Sequence, residues 1–276
     1  MTDRTESIDG AALLDEVEAF HRRFNVLPTE AAYVAVALWD AHTHLLDCFA
    51  STPRLALLSD RPASGKSCAL QVVATLVPRP TAAVSRSANA FFDALVSADG
   101  RPTFLLDEAD TVFNSRTMGN EELRGLLIAG HRRSSTMYRR VDDGTNNRSV
   151  QAFSPYCAAA LAGVGSLPMT ILTRSVTIRM RPRASHEPVE SYRRRIHERE
   201  GHALRGRLAT WADQVRDQVT DAQPELPEGI CDRPADVWEP LLAAADAAGG
   251  AWPERARAAC VELNAVVTQD DAHETR

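Results

Sequence analysis

Residues 54–67 read Arg54-Leu55-Ala56-Leu57-Leu58-Ser59-Asp60-Arg61-Pro62-Ala63-Ser64-Gly65-Lys66-Ser67. A short apolar run gives way to a polar loop ending in Gly-Lys-Ser, and a second apolar stretch follows to Leu76. The run predicts a buried strand, and the stretch after the loop predicts a helix. Strand, tight loop and helix, in that order, present loop N–H groups and a helix N-terminus to an anion. Lys66 is the only lysine of the chain; the other thirty basic residues are arginine. Arginine thus fills the sites that need only positive charge. A phosphate-binding loop needs a compact ammonium instead, because a planar guanidinium has the wrong shape to reach between two phosphates. The pattern G-x-x-x-x-G-K-[ST] is met except at its first position, where Asp60 stands for glycine. Pro62, Ala63, Ser64, Gly65, Lys66, Ser67 and Cys68 are therefore expected to cradle nucleotide phosphates, with the Ser67 hydroxyl on Mg²⁺. The competing reading is an ordinary turn that contains Gly-Lys-Ser.

A second motif bears on that choice. Thr103-Phe104-Leu105-Leu106-Asp107-Glu108-Ala109-Asp110 is an apolar run that ends in acids. It predicts a buried parallel strand that delivers carboxylates to the carboxyl edge of a sheet, where open α/β sheets bind ligands. Asp107 is expected in the Mg²⁺ shell and Glu108 beside the attacking water. The interval after Gly-Lys-Ser has room for a helix, a strand and another helix.

The chain of 276 residues is long enough for one large domain or two smaller ones. No apolar run reaches the length of a membrane span, and residues 1–10 are polar and acidic, unlike a signal peptide. The five cysteines are scattered and form no C-x-x-C pair, which argues against a disulfide framework or zinc site and fits a reducing cytoplasm. His42-x-His44 lacks supporting ligands at metal spacing and reads as part of a helix. A net charge of −6 speaks mildly against a surface coated for nucleic acid, but the charge is uneven. From Arg174 to Arg207 ten arginines face four glutamates, and from His131 to Arg148 five arginines face two aspartates.

Periodicity predicts helices over 9–24 and from 29–30 to about 49, a strand from 54, a helix over 67–76 and a short strand over 82–85. A helix over 87–98, the acidic strand and a helix over 120–132 follow. Residues 136–141 and 148–153 flank an Asp-Gly-containing polar cluster and predict a hairpin. Strands are expected over 156–162 and 175–180. Alternating strands and helices imply a parallel α/β sheet. Beyond 181–183 only helices are expected, over 189–219, 235–248 and 253–267, with a frayed polar end from 268. The expected division is an N-terminal helix (1–24), an α/β core with its inserted hairpin (25–183; hairpin 136–153) and an all-helical lid (184–276).

These features together resemble an AAA+ P-loop ATPase. A closer resemblance is to an actinobacterial and phage P-loop family whose domain is labelled as of unknown function and occurs in replication, helicase-like and mobile-element proteins. It extends over nearly the whole chain after about residue 20. It rests on Pro53-Arg54-Leu55, Leu106-Asp107-Glu108-Ala109-Asp110, the stretch 120–127 leading to Gly130-His131-Arg132-Arg133, Ala160-Leu161-Ala162-Gly163, Arg174-Ser175-Val176-Thr177-Ile178 and Asp232-Arg233-Pro234-Ala235-Asp236-Val237-Trp238. The resemblance implies a P-loop fold with a helical lid, ATP and Mg²⁺ as cofactors, and a homo-oligomeric ring such as a hexamer. It implies that Arg174 reaches a neighbour's γ-phosphate, that Arg233 senses bound nucleotide from the lid, and that residues 24–28 border the adenine. The polar residue expected before Gly163 is missing, which is a departure from the pattern.

Two functional readings follow. One is an oligomeric, helicase-like ATPase that acts on DNA, with Arg139, Arg140 and Arg148 of the hairpin on the phosphate backbone and Tyr138 beside them for stacking. The other is an ATP-dependent switch or loader that acts on a protein partner, with the helix at 9–24 as its docking element. A nucleotide-binding module without turnover is a third reading, which Glu108 beside Asp107 disfavours.

Overall fold

The computed structural model describes residues 7–82, 88–96, 100–114, 118–142 and 148–274. Strand β1 (Arg54–Ser59) is buried along its whole length, and its alternate side chains enter two different cores. Leu55 and Leu57 join one apolar cluster, Ala56 and Leu58 the other. A strand with no solvent face reads as a continuous apolar run, as the sequence does here. The other strands of the sheet are β2 (Pro80–Ala82), β3 (Thr103–Leu106), β6 (Ala158–Val164) and β7 (Ser175–Arg179). The spatial order is β2-β3-β6-β1-β7, and every pairing is parallel. All carboxyl ends therefore share one edge. Strand β6 separates β1 from β3, with Leu58 level with Gly163 and Leu106 level with Leu161.

One face of the sheet is covered by α4 (Ala88–Val96), α5 (Ala109–Asn114), α6 (Met118–Ala129) and α7 (Met169–Leu172). The other is covered by α1 (Gly10–Phe24), α2 (Glu30–His44), α3 (Lys66–Leu76) and the C-terminal helices α8 (Arg194–Thr220), α9 (Asp232–Ala248) and α10 (Trp252–Glu274). Asp9 caps α1 by accepting from Ala12 N at 3.1 Å, and Thr29 caps α2 by accepting from Ala32 N at 3.2 Å. Helix α2 ends at His44 and a 3₁₀ turn at Leu46–Cys48 completes the stretch expected as one helix. Helices α9 and α10 pack on α2, and α8 packs on α3 and α1. Gly201 marks the α8–α3 crossing: a Cβ there would stand 2.2 Å from Thr75 Oγ1. The apolar cluster thus runs from Leu13 to Leu263 across the expected 183/184 border.

Three expectations are corrected. The first edge strand is Pro80–Ala82, where 82–85 was expected, and residues 83–87 lie outside the described ones. Proline fits there because a first residue on an edge need not donate to the ladder. Helix α10 runs on to Glu274 beyond the expected fray. The last acid of the second motif, Asp110, lies in a short helix, α5, where the strand was expected to end in acids. The hairpin consists of β4 (Met137–Asp142) and β5 (Arg148–Phe153), and its turn at 143–147 lies outside the described residues. No described helix is long and apolar enough to cross a membrane.

Candidate functional site

At the carboxyl edge, β1 leads through residues 60–65 into α3. Gly65 forms the N-cap at φ 84°, in the left-handed region, and no side chain caps the helix. Ala63 also adopts a positive φ of 60°. The first N–H groups of α3 are thus free of side-chain capping, the usual condition of a helix end that receives an anion. Lys66 is only 8% exposed. Its ammonium turns back into the loop and donates to Ser59 Oγ, to Ser64 Oγ at 3.0 Å and to the Arg61 carbonyl at 3.5 Å. Ser64 Oγ donates to Ser59 Oγ at 2.8 Å, and Ser59 Oγ donates to the Arg61 carbonyl at 2.6 Å. All of these partners are neutral oxygens, and among the described residues no carboxylate pairs with the ammonium.

Asp107 and Glu108 leave β3 at the same edge. Two strand spacings, about 10 Å, separate the ends of β1 and β3. Both acids are exposed. Asp107 Oδ1 accepts from Glu108 N at 2.9 Å, and Glu108 holds a positive φ of 55°. The Glu108 carbonyl accepts from Thr111 N at 3.0 Å and Thr111 Oγ1 at 2.7 Å, which starts α5. Ser67 and Asp107 offer a hydroxyl and a carboxylate oxygen, hard donors that suit Mg²⁺, an ion that fills its shell with water and substrate phosphate. Among the described residues no cluster of three His, Cys, Asp or Glu could hold a metal without such help.

Sequence reasoning missed Asp110. Its Oδ1 accepts from Val164 N at 3.0 Å, at the end of β6 between the two motifs. A Cβ on Gly163 would lie 3.1 Å from that oxygen, so glycine is what permits the approach. The signal was the third acid of Asp107-Glu108-Ala109-Asp110, one short step onto α5.

Cys68 lies one residue beyond Ser67, and its Sγ is 3.7 Å from the Phe24 carbonyl. Residues 24–28 therefore adjoin the start of α3. Tyr33 Oη donates to the Asn25 carbonyl at 2.9 Å and accepts from Leu27 N at 2.9 Å, which fixes this turn. The Asn25 side-chain amide is 3% exposed and has no partner among the described residues. Met180, just past β7, reaches over Gly65.

Arg174 and Arg233 stand elsewhere. Arg174 precedes β7, and its carbonyl accepts from Arg54 N at the amino end of β1. Five strand residues, about 16 Å, separate that edge from the Lys66 loop. Arg233 Nη1 lies 3.4 Å from Thr173 Oγ1, beside Arg174. The structure does not bring either arginine to Lys66 of the same chain: both stand at the amino edge, away from the loop at which Arg233 was expected. His131 and Arg132 complete this amino-edge group, with Arg132 paired to Asp236 at 3.1 Å.

In the hairpin, Met137 and Phe153 face inward and join the apolar cluster on α4 and α6. On the same face the Arg139 guanidinium sits 4.4 Å from the Phe92 ring centre. Arg140 lies on the opposite face with Tyr138 and Val150, which are 72% and 63% exposed. The backbone of Arg148 pairs with that of Asp142, and its side chain lies outside what the structure describes. His42 and His44 bond to different parts of the protein. His42 Nδ1 bonds the Trp39 carbonyl at 2.7 Å and its Nε2 the Thr52 hydroxyl at 2.9 Å, while His44 Nε2 bonds the Leu76 carbonyl at 2.8 Å.

A family model described as a protein of unknown function (DUF3631) matches residues 179–276. An uncharacterized 28.9 kDa protein in the xis 5′ region of Saccharopolyspora erythraea is 46% identical over 92 residues. That match covers 33% of this chain and 34% of the relative, so the chain spans about a third of the length of the curated protein it matches. Among solved structures, a JCV helicase bound to a thiazolopyridine acetamide is similar at 15% identity and a TM-score of 0.32, over 93% of this chain and 69% of that one.

Proposed function

We propose that the chain is a Mg²⁺-dependent ATPase of the AAA+ type that works as an oligomer on DNA. The observation that carries the reading is Lys66: a nearly buried ammonium, bedded on neutral oxygens at an uncapped helix N-terminus, on the edge that also bears Asp107 and Glu108. A buried cation without an anion is costly, and a triphosphate supplies the missing charge. The N–H groups of 62–68 and Lys66 would hold the phosphates. Ser67 and Asp107 would hold Mg²⁺, which when bound draws charge off the phosphate oxygens. Glu108 would orient water for in-line attack. Residues 24–28, against Cys68, would border the base.

Arg174 is too far from Lys66 to serve its own chain, so in this reading it acts on a phosphate held by a second copy. Hydrolysis then requires assembly. Residues 1–24, 25–183 and 184–276 would form the N-terminal helix, core and lid. Because α8 is locked on α3 at Gly201, lid motion would fall beyond α8, in the irregular stretch 221–231 before α9. Tyr138 and Arg140 suit a stacked base and a backbone phosphate.

Steady-state ATP hydrolysis, titrated against protein concentration with and without single- and double-stranded DNA, tests this reading. The expected outcome is a rate that rises more than linearly with concentration, rises again with DNA, and falls at least 100-fold, on the order expected for a lost phosphate clamp, in Lys66→Ala. Arg140→Ala should lower the DNA stimulation and leave the DNA-free rate unchanged. A rate indifferent to DNA would redirect the reading to a protein partner, and a rate indifferent to Lys66 would end it.

A further inference from the structure

His131 is the hub of the amino-edge arginines, and its neighbours dictate its protonation. Nδ1 faces the Ile128 carbonyl at 2.8 Å, and since a carbonyl only accepts, Nδ1 carries the ring proton. Nε2 is therefore a lone pair. Arg174 donates to it through Nε at 3.1 Å, and Arg132 through Nε at 3.3 Å. Burial, followed by the charges of Arg54, Arg174 and Arg132, pushes the ring pKa down to about 4, so this neutral tautomer persists near neutral pH.

Like charges do not gather without cause. Arg233 approaches from the start of α9, and its charge, after burial, helps push the Arg174 pKa down. The carboxylate facing the group is Asp236, and it is paired with Arg132. Three guanidiniums against one carboxylate leave a positive excess in a half-buried recess lined also by Ser51, Thr52 and Thr173. That excess calls for an anion from outside the chain. With Nε on His131 and Nη1 on the Thr170 carbonyl, the Arg174 plane is fixed.

We propose that His131 is a positioning residue whose Nε2 lone pair holds Arg174 and Arg132 side by side, as a paired receptor for the terminal phosphate of a nucleotide bound to a second copy of this chain. The proposal rests on the ATPase reading above. His131 itself touches no substrate and transfers no proton. Its work is to place two repelling cations within reach of one phosphate, where misplacement by about 1 Å can cost on the order of 100-fold in rate.

The test measures kcat and KM for ATP on the full chain at assembling concentration, for the wild type, Arg174→Ala, His131→Phe, His131→Gln and the His131→Phe/Arg174→Ala double variant. Glutamine keeps an acceptor near the place of Nε2; phenylalanine does not. His131→Phe should lower kcat about 10- to 100-fold with KM within about twofold, because the change falls on the transition state. His131→Gln should recover most of the loss, and the double variant should lose well short of the product of the two single losses, since only the placing of Arg132 is left for His131 once Arg174 is gone. Wild-type kcat in His131→Phe, or losses that multiply in the double variant, would overturn the proposal. If His131→Phe no longer melts cooperatively, His131→Gln decides alone: near-wild-type kcat supports the proposal, and a loss equal to that of Arg174→Ala overturns it. Absence of Lys66-dependent hydrolysis in the wild type would instead remove the ATPase reading, and this proposal with it.

Discussion

Arg54 is a fully buried guanidinium with no carboxylate at hand among the described residues. It donates from Nε and Nη2 to the Leu127 carbonyl, at 3.2 and 2.8 Å, and from Nη1 to the Cys157 carbonyl. It thereby ties the end of α6 to the start of β6, and burial lowers its pKa. Arg54→Lys should lose about 2–4 kcal/mol in urea unfolding, since one ammonium cannot span both carbonyls yet still buries a charge. Arg54→Met, which removes the charge together with its bonds, should lose less. The histidines make a second prediction. Burial pushes His42 and His44 down to about 4 from the ordinary 6.5. Folded values below the unfolded one mean that the unfolded chain binds the extra protons between these limits. Stability is thus whole above about pH 6.5 and drains away as pH falls toward 4, by on the order of 3 kcal/mol for each ring. Urea midpoints should hold from pH 7.5 to about 6.5 and then fall steadily to 4.5; a flat profile would contradict the burial of these rings.

At the scale of elements, the crossing of α8 over α3 has no slack. Gly201→Ala should destabilise the chain by about 2 kcal/mol or more, an overpacking effect. Thr75→Ala in the same chain should return part of that, because Thr75 Oγ1 is the obstacle. Thermal melts of the single and double variants check this. The sheet was legible in the sequence because a strand buried on both faces is a continuous apolar run, and Leu55–Leu58, Phe104–Leu106 and Ala158–Ala162 are such runs, while 175–180 showed itself by alternation. The hairpin strands were legible from their polar turn. Short elements were not. Helix α5 hides among acids that equally suit a turn, and β2 has three residues. Which edge a residue serves was also hidden. Arg233 lies beyond α8, whose 27 residues carry the chain about 40 Å back toward the amino edge, and no local pattern records that journey. His131 is one residue of an unremarkable polar stretch until the fold sets Arg174 beside it.

At the scale of the whole molecule, Lys66 and Arg174 occupy opposite edges, which makes a prediction about mixtures. Lys66→Ala and Arg174→Ala should each hydrolyse ATP only slowly alone, yet mixed they should regain part of the rate, since one brings an intact arginine to the other's intact loop. No regain at any mixing ratio would mean that Arg174 has no role between copies. The lone lysine has another consequence, for chemistry done on the protein. Within residues 1–276 an acylating reagent finds a single side-chain amine, and that amine is tucked among the Ser59 and Ser64 hydroxyls. Its mass tag will therefore always mark the same loop. The speed of tagging becomes a clock of how often that ammonium comes free, slowing when an anion covers it, with no engineered label anywhere in the chain.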